Sequence, residues 1–80
     1  MNTYLFELTD TFGGELNYSW VKRFIVKAKS LHGALCKISR QTGYNFKNTG
    51  MHYEASKSCI ALVPIYYEMN QDWENKAEIL

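Results

Sequence analysis

The run Tyr18-Ser19-Trp20-Val21-Lys22-Arg23-Phe24-Ile25-Val26-Lys27-Ala28-Lys29-Ser30-Leu31 decides the fold, because two periodicities meet inside it. From Tyr18 to Lys29 the chain alternates. Trp20, Phe24, Val26 and Ala28 make an apolar side, while Arg23, Lys27 and Lys29 share the other with Val21 and Ile25. A period of two over that length predicts a half-buried β-strand. At Ser30 the period changes. Leu31, Ala34, Leu35 and Ile38 fall at i, i+3, i+4 and i+7, one buried helical stripe. The Ser30 hydroxyl suits an N-cap, because it can accept from a free amide of the first turn. Gly43 suits a left-handed C-cap, with Arg40 well placed in the last turn.

Outward from this segment, residues 3–9 alternate as well, with Tyr4, Phe6 and Leu8 opposite Thr3, Glu7 and Thr9. Residues 10–14 (Asp-Thr-Phe-Gly-Gly) supply turn chemistry, so the first two strands are expected to form an antiparallel hairpin. After a polar loop at residues 45–50, residues 51–55 read as a short strand. Residues 59–67 are apolar on both faces and suit a central strand. Pro64, which cannot donate to a ladder, marks a bulge or that strand's edge-facing end. The expectation is an α+β fold in β-β-α-β-β order: an antiparallel sheet of about four strands with one helix on one face. Residues 1–80 are read as one compact domain, with an acidic segment at 68–80 loosely attached.

Composition narrows the functional classes. Eighty residues leave room for one core, and 46% apolar with 15% aromatic content is too rich for a disordered chain. No stretch nears the ~20 apolar residues that cross a bilayer, and the first residues lack a signal-peptide pattern. No membrane association is therefore expected, and the cytosol is the expected location. There Cys36 and Cys59 read as free thiols, and the sequon Asn17-Tyr18-Ser19 carries no meaning.

The net charge of +1 conceals segregation: residues 1–15 sum to −3, residues 16–53 to +7 and residues 54–80 to −3. Two candidate binding surfaces follow. One is a basic strand–helix face of Lys22, Arg23, Lys27, Lys29, Lys37 and Arg40, which could touch phosphates with Tyr18 or Trp20 stacking on bases. The other is an aromatic–acidic end of Tyr66, Tyr67, Glu68, Asp72, Trp73 and Glu74, with anchors suited to a basic groove on a partner. Against the first stands neutralisation: the acidic first strand and tail can pair with the basic strand across the sheet. Sheet order decides between these readings.

Catalytic signatures are absent. The chain has no phosphate-binding loop, no GxGxxG, no GxSxG and no HExxH. His32 and Cys36 are helical neighbours at i and i+4, but no third residue orients them. With His52 and Cys59 they would make a Cys₂His₂ set, although His32-x₃-Cys36 and His52-x₆-Cys59 lack the usual knuckle spacing. No enzyme activity, metal or cofactor is expected. A folded surface on the order of 5,000 Å² can host a standard interface of about 800 Å² per partner, and has little room for a buried active site besides.

The segment from Arg23 through Leu31 to Gly43, within a short β-β-α-β-β layout, resembles small accessory proteins encoded by phages and mobile elements. The anti-CRISPR inhibitors are the best-known of these. Phe6-Glu7-Leu8-Thr9-Asp10-Thr11-Phe12-Gly13-Gly14-Glu15, continuing to Asn17-Tyr18-Ser19-Trp20-Val21, is similar to uncharacterised phage reading frames. The resemblance implies a non-enzymatic inhibitor in the cytoplasm of a host cell. Its partner would be a host protein or ribonucleoprotein complex, such as a CRISPR effector, kept from nucleic acid by steric blocking. The alternatives are a nucleic-acid-binding module using the basic face, and a homodimer formed through a sheet edge.

Overall fold

The computed structural model describes residues 2–50, 52–55, 58–65 and 77–80. The elements run β1 (Asn2–Phe12), β2 (Glu15–Ala28), α1 (Leu31–Thr42), β3 (Phe46–Asn48), β4 (Tyr53–Ala55), β5 (Ile60–Ile65) and β6 (Glu78–Ile79). All six strands join one sheet in the order β3-β4-β5-β1-β2-β6. Among the described residues, only the β2–β6 pairing is parallel. The α+β class stands as expected, with two further strands. β3 falls within the stretch read as a polar loop, since three residues are too few to display alternation. Its strand state comes from pairing Phe46 with Ala55 and Asn48 with Tyr53. β6 is two residues long, held beside β2 by Leu80 N donating to Ile25 O (2.8 Å) and Lys27 N donating to Leu80 O (3.2 Å).

The helix forms where its punctuation places it. Ser30 is extended, and its Oγ accepts from Gly33 N at 3.1 Å. Gly43 closes the far end at φ +79°, donating its N–H to Ser39 O at 2.8 Å. That conformation is easy for glycine, which has no Cβ to clash. Ala34 and Ile38 are fully buried against the sheet, with Leu31 and Leu35 half-buried beside them. The main core joins these to Phe6, Leu8, Phe24, Val26, Ala55, Ile60 and Leu62. Phe6 stands directly across from Phe24, and Tyr4 across from Val26. A smaller cluster on the opposite face holds Leu5 and Ile25, packed by Ile65 and Ala77. This is why β2 carries Ile25 among its charges: its second face is partly covered too.

β5 lies between β4 and β1, as a strand apolar on both faces should. Within β5, β4 pairs with residues 60–62, whereas β1 pairs as far as Ile65. Pro64 thus occupies the part of β5 that extends beyond β4, where a missing N–H leaves no β4 carbonyl unserved. No helix among the described residues is long and apolar enough to cross a membrane.

The expected turn at residues 10–14 is shorter in the structure. β1 continues through Phe12, and Gly13 and Gly14 alone reverse the chain, at φ +63° and +83°. Two successive left-handed residues match the twist of a hairpin, and glycine adopts them freely.

Candidate interaction surface

The register of β1 and β2 is interrupted. Phe12 pairs with Glu15 and Thr11 with Leu16, but the next regular pair is Thr9 with Val21. Residues 17–20 of β2 therefore stand opposite Asp10 alone, a bulge with three extra residues, and Trp20 lies at its edge, where the regular ladder ends. Trp20, placed by the sequence on the apolar side of the strand, is 43% exposed. Tyr18 is 49% exposed, Val21 40% and Phe12 79%, so one end of the ribbon gathers four large apolar side chains in reach of solvent.

Polar bonds hold this bulge. Asp10 Oδ1 accepts from Ser19 N at 2.9 Å, and Asp10 Oδ2 accepts from Asn17 Nδ2 at 2.8 Å. The fully buried Thr9 donates its hydroxyl to Trp20 O at 2.8 Å. Hydrogen bonds from Ser19 first, then Asn17, hold the Asp10 carboxyl at about 2, below the ordinary 3.8, because they favour the ionised form. Between those two donors Tyr18 takes φ +54°. For an aromatic residue the left-handed region costs about 1–2 kcal/mol, and it persists only where neighbours over-determine it. Asn17 and Ser19 are such neighbours. An open groove of about 330 Å³ adjoins this end, bounded by Gly14, Glu15, Leu16 and His52. The His52 ring lies 3.0 Å from Glu54 Oε1.

The electrostatics of the ribbon end are one-sided. Residues 9–21 include Asp10 and Glu15 and no basic side chain.

The six basic residues do not form a single face. Lys22 shares the face of Phe24, with its Nζ 5.5 Å from that ring's centre and 3.0 Å from Glu78 Oε2. Arg23 lies on the opposite face, with Nε 3.2 Å from Oε2 of Glu7, its cross-strand partner. Lys37 donates to Lys27 O at 2.6 Å. Lys27, Lys29 and Arg40 are exposed and have no carboxylate partner among the described residues. Cross-strand neutralisation therefore holds at two positions, through the first strand at Glu7 and the tail at Glu78. The aromatic–acidic set Tyr66, Tyr67, Glu68, Asp72, Trp73 and Glu74 lies outside the described residues.

Of the reactive side chains, Cys36 Sγ and His32 Nε2 are 3.6 Å apart on the exposed side of α1. Among the described residues no group of three potential metal ligands forms, so His52 and Cys59 do not complete a set with them. Compared with family models, curated proteins and solved structures, the chain matches none.

Proposed function

We propose that this chain is a non-enzymatic binding protein that inserts the bulged end of its β1–β2 ribbon into a basic, apolar-lined groove of a protein partner and blocks it. The carrying observation is the pair Tyr18 and Trp20, exposed on a polar-braced bulge in a stretch whose only charges are acidic. Tyr and Trp dominate interface hot spots because they bury a large area for few rotatable bonds. A bulge braced before binding lowers the ordering cost of association. Carboxylates beside aromatic rings also mimic what a nucleic-acid groove is built to hold, phosphate charge next to flat bases.

In its specific form, the partner is a host defence ribonucleoprotein such as a CRISPR effector, with the ribbon occupying a surface that would otherwise engage nucleic acid. The small size of the domain and its resemblance to phage-encoded inhibitors support this. The test is binding to candidate effectors by interferometry, alongside a phage-protection assay. Wild type should form a stable complex that competes with target DNA. Trp20→Ala should weaken it about thirty-fold or more, the effect of losing a hot spot of about 2 kcal/mol. No complex with any effector and no protection of phage would refute the specific form.

The nucleic-acid-binding alternative draws less support, because Lys22 and Arg23 already face carboxylates and lie on opposite faces. Gel shifts at two salt concentrations should show no binding even at low salt. A complex with a steep salt slope would instead favour that alternative.

A further inference from the structure

The helix carries a second feature, independent of the ribbon. His32 and Cys36 are both exposed, one turn apart, with Nε2 and Sγ facing each other at 3.6 Å. The spacing i, i+4 is the one by which a single helix offers two ligands to a zinc ion. Zinc–sulfur and zinc–nitrogen bonds of about 2.3 and 2.0–2.1 Å, meeting at a tetrahedral angle, place the two donor atoms about 3.5 Å apart. The hydrogen-bond contact between the two side chains therefore already has the donor separation that a tetrahedral ion requires. α1 fixes the separation of the two residues, and its Ser30 cap anchors the turn that carries His32.

Two ligands fill half of a tetrahedral shell, and no third His, Cys, Asp or Glu joins them among the described residues. We propose that His32 and Cys36 are half of a zinc-class metal site, completed by the same pair from a second copy of the chain. A two-fold axis through the ion would make the contact self-complementary. The resulting set of two thiolates and two imidazoles suits borderline-soft ions such as Zn²⁺ and its tetrahedral reporter Co²⁺. The two thiolates balance the charge of the dication, so no further acid is required. The ion displaces the thiol proton from each Cys36 to solvent, and the neutral imidazole of His32 donates its Nε2 lone pair.

The test is titration of the fully reduced protein with Co²⁺ alone, followed by absorption spectroscopy and light scattering. It is applied to wild type and to Cys36→Ser, His32→Ala and Cys59→Ser. The expected result is a thiolate-to-cobalt charge-transfer band with intense tetrahedral d–d bands, saturating at one ion per two chains as the mass doubles and reversed by chelator. Cys59→Ser should retain the signal. Cys36→Ser and His32→Ala should lose it while keeping the wild-type circular dichroism, since both side chains lie at the surface. Absence of the charge-transfer band would overturn the proposal. So would saturation at one ion per monomeric chain, or loss of the signal in Cys59→Ser.

Discussion

The two halves of the β1–β2 ribbon use similar residues for opposite ends. In the half that carries the core, strict alternation puts Phe6 against Phe24 and leaves both fully buried, while Glu7 and Arg23 neutralise each other on the reverse face. In the bulged half, Trp20 belongs to the same strand as Phe24 and is two full pleat repeats away, yet solvent reaches it. Hydrophobicity alone does not bury a side chain. Burial follows the pleat, and a bulge changes which face each residue meets. The first half is held by apolar contact, and the second by the carboxylate of Asp10 and the hydroxyl of Thr9.

The largest expected difference is between Phe24 and Trp20. Phe24→Ala should cost about 3–5 kcal/mol through lost transfer energy and a cavity in the core. Trp20→Ala should cost under about 1 kcal/mol, as surface substitutions do. Urea denaturation of both variants measures this, and equal losses would place Trp20 in the core after all. A smaller effect is expected at Asp10 and depends on pH. Its folded pKa of about 2 lies below the ordinary 3.8, so its contribution is complete above about pH 4 and disappears as pH falls through 2. Asp10→Asn should therefore lower the melting temperature at neutral pH and converge with wild type at about pH 2. A gap that persists at pH 2 would mean the amide fails for reasons other than charge. The smallest effect belongs to Lys22. It sits in the well-packed half, but its pair with Glu78 is largely solvent-exposed. Lys22→Ala should change stability by no more than about 0.5 kcal/mol, since exposed ion pairs gain little. A loss several times larger in the same denaturation experiment would show that this pair anchors β6.

Much of the fold is legible in local chemistry. The helix follows from Ser30, the stripe of Leu31, Ala34, Leu35 and Ile38, and Gly43, all of which act within a few residues. The central position of β5 follows from its apolar character on both faces. β3 and β6 lack such a signal, since strands of three and two residues exist only through their neighbours' hydrogen bonds. The bulge is a different case, because its sequence signal is present but long-ranged. A turn at Gly13-Gly14 sets Phe12 against Glu15, and an unbroken ladder from there would bring Phe6 opposite Val21, setting the apolar face of one strand against the mixed face of the other. Aligning Phe6 with Phe24 requires three extra residues in β2. Asp10, Asn17 and Ser19 are the residues able to accommodate them. Reading residues 20–28 as one uninterrupted alternation misses that requirement, and with it the exposure of Trp20.

By itself the sequence determined the α+β class, the helix and its caps, the glycine hairpin, and the separation of acidic from basic segments. These depend on short-range periodicity, on left-handed backbone that glycine tolerates, and on composition. Only the tertiary structure decided which charges meet and which aromatic side chains remain outside. Glu7 reaches Arg23 because β1 and β2 are neighbours in one register, and Glu78 reaches Lys22 because β6 pairs with β2 beside Phe24 and Ile25. Tyr18 and Trp20 stay at the surface because two facing strands of unequal length must still align one core. Sheet order and register link residues far apart in the chain, and no local pattern encodes them.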